Sequence, residues 1–292
     1  MFRGSIVAIV TPFKNGKVDE KKLRELVEFH IKNGTSGIVP CGTTGESATL
    51  SFEEHDRVIE IVIEQVKKRI QVIAGTGSNS TEEAVMLTKH AKKAGADATL
   101  QVSPYYNKPT QRGLYEHFKA ISECADFPMI LYNIAGRTAV NIEPETIAKL
   151  ARDCKNIVAV KEASGSLDQM SRIKQLCPPD FELLCGDDSL TLAVLSIGGT
   201  GIISVVANIV PSEVAALVSE FEKGNLDNAR KLHYKLLPLI KAVFIETNPI
   251  PVKTAMGLMK MCEPDLRLPM CEMAPENLEK LKKALREYGL LR

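Results

Sequence analysis

The stretch Ile157-Val158-Ala159-Val160-Lys161-Glu162-Ala163 places one lysine at the end of an otherwise apolar, β-branched run. Because the run is continuous and lies between Asn156 and Gly165, it predicts a strand that is buried on both faces. Burial disfavours the charged ammonium form, so Lys161 would carry a free amine near neutral pH. A free amine that faces a cavity attacks carbonyl groups and forms a Schiff base. The alternative is a lysine at a strand end whose ammonium simply reaches water.

Short apolar runs of this kind alternate with amphipathic segments along most of the chain. The amphipathic segments have the period of helices, and Ser51-Phe52-Glu53-Glu54 and Ser80-Thr81-Glu82-Glu83 predict capping boxes at the start of two of them. The apolar runs predict eight strands: Ser5–Thr11, Ser36–Gly42, Gln71–Gly75, Ala98–Pro104, Pro128–Asn133, Ile157–Ala163, Glu182–Gly186 and Gly201–Asn208.

About eight strand-then-helix units predict a (β/α)8 TIM barrel, for which roughly 250 residues is typical. A doubly wound open sheet is the competing architecture, but its glycine fingerprint is missing. Gly75-Thr76-Gly77 comes closest to it, and Ser80 occupies the third glycine position. We therefore expect a barrel with the active site in residues 1–224. Residues 225–292 are expected to form a helical C-terminal extension, with helices at Leu226–Ile245, Val252–Met261 and Pro275–Tyr288.

Composition excludes several classes of partner. The 292 residues include 37 basic and 36 acidic side chains, so the formal net charge of +1 offers no basic face for nucleic acid or an acidic membrane. No apolar stretch is long enough to cross a bilayer, and Met1-Phe2-Arg3-Gly4 lacks the layout of a signal peptide. Seven cysteines without a Cys-x-x-Cys pair predict reduced thiols and a cytoplasmic location.

Metal and phosphate sites are not predicted either. The five histidines lie on helix patterns without metal-ligand spacing, so we expect neither a metal nor a cofactor. Asp187-Asp188, after the seventh strand, is expected to cap a helix rather than bind a cation. Gly198-Gly199-Thr200-Gly201 is expected to form a tight turn, although barrels often bind phosphate at this position.

Barrel enzymes carry their chemistry at the carboxyl ends of their strands, where this chain is polar. The second predicted strand leads into Cys41-Gly42-Thr43-Thr44-Gly45-Glu46-Ser47. Two glycines leave backbone N–H groups uncovered and two threonines add hydroxyls, a combination that suits a small carboxylate. The same residues also fit a glycine-rich turn capped by its threonines.

Phenols and a guanidinium follow the next strands. Tyr105-Tyr106 follows the fourth, Tyr132 closes the fifth, and Arg137 comes shortly after it. Tyrosines at loop tips are often packing or interface residues, and a lone loop arginine is more often solvated. However, an arginine can bind a carboxylate through two parallel hydrogen bonds. Together with Lys161, this set favours Schiff-base carbon–carbon chemistry on a small 2-oxo acid.

Six motifs occur in one order: Gly42-Thr43-Thr44-Gly45-Glu46, Tyr105-Tyr106, Tyr132-Asn133, Gly136-Arg137-Thr138, Lys161-Glu162-Ala163 and Asn248-Pro249-Ile250-Pro251-Val252-Lys253. This ordered set closely resembles the dihydrodipicolinate synthase family, over nearly the whole chain. The resemblance implies a barrel with C-terminal helices and a homotetramer built from two dimers. It also implies the condensation of pyruvate with L-aspartate 4-semialdehyde to give 4-hydroxy-tetrahydrodipicolinate, on the route to diaminopimelate and lysine.

The resemblance also implies roles for single residues. Lys161 would form the Schiff base, and Tyr132 would be the general acid/base. Thr43 and Tyr106 would complete a proton relay, with Tyr106 supplied by a neighbouring subunit. Thr44 and the backbone at Ile203 would hold pyruvate, and Arg137 would hold the carboxylate of the semialdehyde.

Two departures from the family pattern stand out. Ile134-Ala135 replaces a usual valine and proline, so the loop before Arg137 is expected to be less rigid. Phe52 stands where lysine-inhibited bacterial relatives commonly have a histidine, which predicts weak or absent inhibition by lysine. The other positions of that effector site match: Ser47, Ala48, His55, Asn79, Glu83 and Tyr105.

Two alternative functions are also compatible with these motifs. One is another pyruvate-dependent aldolase of the same superfamily, such as N-acetylneuraminate lyase or a 2-keto-3-deoxy sugar-acid aldolase. Arg137 speaks against it, because a second substrate with its own carboxylate needs a guanidinium. The other is a non-catalytic barrel paralogue that binds a small ligand. Such a protein has no need of the complete set of lysine, tyrosines and threonines.

Overall fold

The computed structural model describes residues 2–292, and its centre is a closed barrel of eight parallel strands. Neighbouring strands in the chain are neighbours in the barrel, and the last strand pairs with the first. The predicted barrel is therefore confirmed. Its strands are β1 Gly4–Ala8, β2 Gly37–Val39, β3 Gln71–Gly75, β4 Ala98–Val102, β5 Met129–Asn133, β6 Ile157–Glu162, β7 Glu182–Cys185 and β8 Gly201–Ser204.

A helix follows every strand of the barrel. A short hairpin of two antiparallel two-residue strands, Phe13–Lys14 and Lys17–Val18, lies between β1 and the first helix. Three helices follow the last barrel unit, as predicted. The helices are α1 Glu20–Lys32, α2 Phe52–Val66, α3 Thr81–Ala94, α4 Gln111–Glu123, α5 Ala135–Thr138, α6 Pro144–Asp153, α7 Leu167–Leu176, α8 Thr191–Ser196, α9 Pro211–Glu222, α10 Leu226–Val243, α11 Ile250–Leu258 and α12 Pro275–Tyr288.

Two apolar layers hold the barrel together. Alternate side chains point inward, and Ile6, Ala8, Ile130, Tyr132 and Ile203 belong to one buried cluster inside the barrel. The larger buried cluster lies between the outward-facing strand residues and the helices and extends into the C-terminal helices. Because both faces of every strand are covered, the strands carry the continuous apolar runs seen in the sequence.

Several predicted strands are too long. The predicted ends at Thr11, Gly42, Pro104 and Asn208 correspond to observed ends at Ala8, Val39, Val102 and Ser204. The apolar sequence continues because the loops at this end of the barrel are buried, as Ile9 and Val10 are. In these loops, side chains accept some of the backbone hydrogen bonds that neighbouring strands would otherwise form with each other. The backbone N–H of Val10, for example, donates to Asn208 Oδ1 at 3.2 Å.

One of the two predicted capping boxes is complete. At Ser51 the hydroxyl accepts from the Glu54 N–H, and the Glu54 carboxylate accepts from the Ser51 N–H. At Ser80 only the first half forms, so this prediction was partly wrong. The carboxylate of Glu83 instead accepts a hydrogen bond of 2.6 Å from the Ser78 hydroxyl, a competitor just outside the helix.

The C-terminal helices begin where the last barrel helix ends, and two of them differ from the prediction. Helix α10 ends at Val243 rather than Ile245, and α11 spans Ile250–Leu258 rather than Val252–Met261. The earlier start of α11 is explained by Pro251, which fits the first turn of a helix because its missing N–H has no partner to lose.

A buried ion pair ties these helices to the carboxyl-end face of the barrel. Lys253 Nζ lies 2.5 Å from Glu46 Oε1, and both side chains are almost completely buried. Burial lowers the pKa of Lys253, and the neighbouring Glu46 opposes that shift. Nearby, Arg267 donates two hydrogen bonds of 2.6 Å to Glu54 and stacks over Phe13. The C-terminal region thus supports the loop after β2.

Candidate active site

The site is built around a lysine and a tyrosine on neighbouring strands. Tyr132 on β5 lies opposite Lys161 on β6, and both side chains are 6% exposed. Lys161 Nζ lies 4.0 Å from the centroid of the Tyr132 ring. The amine and the phenol ring are therefore held side by side in a largely water-excluded space, as the sequence predicted for a buried lysine at a strand end.

Gly186 gives the lysine its room. A Cβ atom at this position would lie 3.2 Å from Lys161 Cε and 2.7 Å from the Cβ of Ala163. In the loop after β7, only a residue without a side chain fits at this position next to Ala163 and the stem of Lys161. The sequence prediction placed Gly186 at the end of a strand and did not connect it with Lys161.

A narrow cavity at the carboxyl ends of the strands brings together five of the seven predicted residues. These are Lys161, Tyr132, Thr43, Thr44 and Arg137. The cavity wall is completed by Ala8, Val39, Gly42, Leu100, Ile134, Gly186, Val205, Phe244 and Asn248.

The other two predicted residues lie apart from this wall. Ile203 is buried on β8 within the interior cluster that contains Tyr132, next to Ile6 of β1. Tyr106 lies at a loop tip with φ of 71° and is 89% exposed. Its side chain does not reach the cavity of its own chain.

The turn after β2 uses some of its backbone N–H groups for its own hydrogen bonds. The N–H groups of Gly45 and Glu46 donate to the carbonyls of Gly42 and Thr43 within the turn. The N–H of Gly45, one of the two glycines of the turn, is therefore not free to bind a carboxylate, contrary to the expectation from the sequence. Thr43 and Thr44 both line the cavity.

Asn248 is a site residue whose contacts cannot be read from the motif in which it occurs. Its side-chain Nδ2 donates to Thr44 Oγ1 at 3.0 Å, and its backbone carbonyl accepts from Arg137 Nη2 at 3.0 Å. Within residues 2–292, its buried Oδ1 has no hydrogen-bond partner. Asn248 therefore orients a hydroxyl and a guanidinium and keeps an acceptor at the cavity wall.

A buried carboxylate lies behind the lysine and the tyrosine. Glu162 accepts hydrogen bonds from Asn133 Nδ2 at 3.2 and 3.0 Å, from the Ser164 N–H at 2.7 Å and from Gln169 Nε2 at 3.0 Å. Asn133 and Glu162 directly follow Tyr132 and Lys161 and lie opposite each other. This contact ties the ends of β5 and β6 together.

The two aspartates after β7 have different tasks. Asp187 caps a short turn, with its Oδ1 accepting from the Ser189 N–H at 2.9 Å, as predicted. Asp188 does not cap, so the prediction was wrong for this residue. It is buried and accepts from Ser204 and from the backbone of Val205 and Val206. Burial raises its pKa, and these hydrogen bonds oppose the shift.

A second cavity adjoins the first and shares Thr43, Ile134, Arg137 and Asn248 with it. It is lined by five of the six residues of the predicted effector site: Ser47, Ala48, His55, Glu83 and Tyr105. The sixth, Asn79, donates from its Nδ2 to the carbonyl of Tyr105 at 3.2 Å. Phe52 also lines this cavity and is 49% exposed.

In the part of the chain that the structure describes, no group of three or more His, Cys, Asp or Glu side chains could hold a metal ion. None of the helices formed by residues 2–292 is long and apolar enough to cross a membrane. The seven cysteines are all free thiols.

The closed parallel barrel, with an amine, a phenol and hydroxyls around one cavity at its carboxyl end, defines a (β/α)8-barrel enzyme. A family model described as the dihydrodipicolinate synthetase family matches residues 1–288. The chain belongs to this family. The predictions of the family and of an enzyme of the lyase class are confirmed.

Individual relatives agree with the family model. The 4-hydroxy-tetrahydrodipicolinate synthase of Endomicrobium trichonymphae is 61% identical over 100% of both chains. The crystal structure of dihydrodipicolinate synthase from Aquifex aeolicus is 54% identical, covers 99% of each chain and has a TM-score of 0.98. That of the chloride-inhibited enzyme from Acinetobacter baumannii, complexed with pyruvate, is 45% identical over 100% of each chain, with a TM-score of 0.97. These matches favour the synthase over the sugar-acid aldolases and the non-catalytic paralogue.

Proposed function

We propose that the chain condenses pyruvate with L-aspartate 4-semialdehyde, through a Schiff base on Lys161, to give 4-hydroxy-tetrahydrodipicolinate. The observation that carries the proposal is the buried Lys161 amine beside Tyr132 in a cavity that also contains Arg137. The synthase names of the relatives and the pyruvate complex of the Acinetobacter baumannii enzyme support it.

The first half of the reaction makes a carbon nucleophile. The Lys161 amine attacks C2 of pyruvate, and the carbonyl oxygen leaves as water, which gives the Schiff base. Loss of a C3 proton turns this into an enamine. Tyr132 is the general acid/base for these proton transfers, because its phenol ring lies next to the amine. Thr44 and the backbone at Ile203 hold the pyruvate carboxylate.

The second half joins the two substrates. The enamine carbon attacks the aldehyde carbon of the semialdehyde, and the new alkoxide takes up a proton. The amino group of the semialdehyde part then attacks C2, closes the ring and displaces the Lys161 amine. Arg137 holds the carboxylate of the semialdehyde, and its bond to the Asn248 carbonyl fixes the direction of the guanidinium.

The same proposal extends to assembly and location. We infer a homotetramer built from two dimers, in which Tyr106 of one chain completes the relay with Thr43 of its neighbour. The exposed, outward-pointing Tyr106 supports this assembly, because its phenol has no contact with the cavity of its own chain. The seven free thiols support a cytoplasmic location.

The first prediction concerns Lys161. Borohydride reduction in the presence of pyruvate should trap a covalent adduct on the peptide that contains Lys161. Lys161→Arg should lose nearly all activity, because a guanidinium stays protonated and cannot attack a carbonyl. Lys155→Arg is the matched control, since Lys155 precedes the same strand at the opposite end of the barrel. An adduct on another lysine, found by mass spectrometry, would refute the mechanism.

The second prediction concerns Arg137. Arg137→Ala should strongly raise KM for aspartate semialdehyde and leave Schiff-base formation with pyruvate largely unchanged, because only the second substrate needs this guanidinium. Steady-state kinetics and borohydride trapping measure the two steps separately. Arg172→Ala is the control, because Arg172 pairs with Glu145 at an exposed position. Equal loss of both steps would make Arg137 a structural residue.

The third prediction concerns the shared site. Inactive Tyr106→Phe chains mixed with inactive Lys161→Ala chains under subunit exchange should regain activity, because a hybrid dimer then has one complete site. Tyr132→Phe mixed with Lys161→Ala should regain none, since both defects lie within one chain's own cavity. If exchange is demonstrated by mass spectrometry and the first mixture stays inactive, the site is not shared.

The fourth prediction concerns regulation. We propose that the cavity beside the active site binds L-lysine weakly, because Phe52 offers an apolar ring where a hydrogen-bonding side chain would help. A lost hydrogen bond to a charged group costs roughly 1.5–3 kcal/mol, or about ten- to a hundredfold in affinity. Phe52→His should therefore lower the lysine concentration that halves activity at saturating pyruvate. Strong inhibition of the unmodified protein by L-lysine at concentrations below about 1 mM would contradict the proposal. A Kd of about 1 mM corresponds to a binding free energy of about −4 kcal/mol.

A further inference from the structure

Asp188 is a buried carboxylate that accepts hydrogen bonds from the end of β8 and the turn after it. It follows β7, and its Oδ1 accepts from Ser204 Oγ at 2.5 Å. Its Oδ2 accepts from the backbone N–H of Val205 at 3.0 Å and of Val206 at 3.4 Å. Among the side chains, only an ionised carboxylate offers two acceptor oxygens and no donor. At Asp188 the two carboxylate oxygens accept from all three converging donors.

The donors belong to the turn that directly follows Ile203. Ser204 Oγ, while donating to Asp188, also accepts from the Ala207 N–H at 2.9 Å. From the other side, Asn208 Nδ2 donates to the Val205 carbonyl at 2.9 Å. The backbone after Ile203 thus cannot shift without breaking several buried hydrogen bonds, each of which is costly to leave unmade.

The other end of the Asp188 loop lies against the lysine. Gly186, two residues earlier, packs against the stem of Lys161. One short loop therefore contacts the nucleophile through Gly186 and holds the end of β8 through Asp188. Through these two contacts the loop joins the stem of Lys161 to the backbone that follows Ile203. Val205, which is tied to Asp188, itself lines the cavity.

We propose that Asp188 is a positioning residue for pyruvate: it fixes the backbone at Ile203 relative to Lys161, so that the bound carboxylate places C2 within reach of the amine. The inference rests on the proposed function, in which the backbone at Ile203 binds the carboxylate. Small displacements of a reacting group have large kinetic effects, which is why such a connection matters.

The experiment measures the pyruvate concentration that gives half-maximal borohydride-trapped adduct on Lys161. Asp188→Ala should raise it about ten- to a hundredfold, because a misplacement of about 1 Å at a reacting group can cost about a hundredfold. KM for aspartate semialdehyde should stay nearly unchanged. Asp188→Asn should restore most of the affinity, because its Oδ1 can still accept from both backbone N–H groups. Ser204→Ala, a milder change, should shift the pyruvate dependence in the same direction.

Glu182→Gln is the matched control, since Glu182 is a buried carboxylate at the opposite end of β7 that accepts from the Phe2 N–H. It should lower the melting temperature without changing the pyruvate dependence. Unchanged pyruvate dependence in Asp188→Ala or, if that variant does not fold, in Ser204→Ala would overturn the inference. Equal rises in both substrates' constants, or no rescue by Asp188→Asn, would do the same. If the unmodified protein forms no adduct, the proposed function itself fails.

Discussion

The hydrogen bonds between Asn133 and Glu162 fix the register on which the site depends. Strand side chains alternate between faces, so a slip of one residue between β5 and β6 would turn Lys161 or Tyr132 out of the barrel. The Asn133 amide reaches both oxygens of Glu162, and Ser164 and Gln169 supply further donors to the same carboxylate. A shifted register would leave this buried carboxylate without partners, at a cost of several kcal/mol. The amine and the phenol therefore stay side by side.

The C-terminal helices belong to the site rather than to a separate unit. The Glu46–Lys253 pair holds the turn that carries Thr43 and Thr44, while Asn248 reaches Thr44 and Arg137 directly. Removing one partner of a buried pair leaves an uncompensated charge, which typically costs about 3–5 kcal/mol. The turn that carries Thr43 and Thr44 therefore depends on contacts with residues some 200 positions later in the chain.

The sequence was sufficient to predict the barrel, the buried lysine and most of the cavity, because these follow from apolar periodicity and from residues at strand ends. It was insufficient where a contact joins two loops. Asp188 looked like a helix cap because its partners, Ser204 to Val206, lie in the next unit of the barrel. Gly186 looked like a strand end because the close approach to Lys161 is visible only in three dimensions. Strand ends were overextended for a related reason: buried loops are as apolar as strands.

Three buried carboxylates surround the cavity, and each joins elements that are distant in the chain: Glu46, Glu162 and Asp188. None of the three lines the cavity, and among the described residues its wall contains no acidic side chain. This separation matches the proposed substrates, which both carry carboxylates and would be repelled by an exposed Asp or Glu. Burial makes each carboxylate expensive, and only complete hydrogen bonding offsets that cost. The acidic residues therefore determine geometry, while Lys161 and Arg137 bring an amine and a guanidinium to the cavity wall.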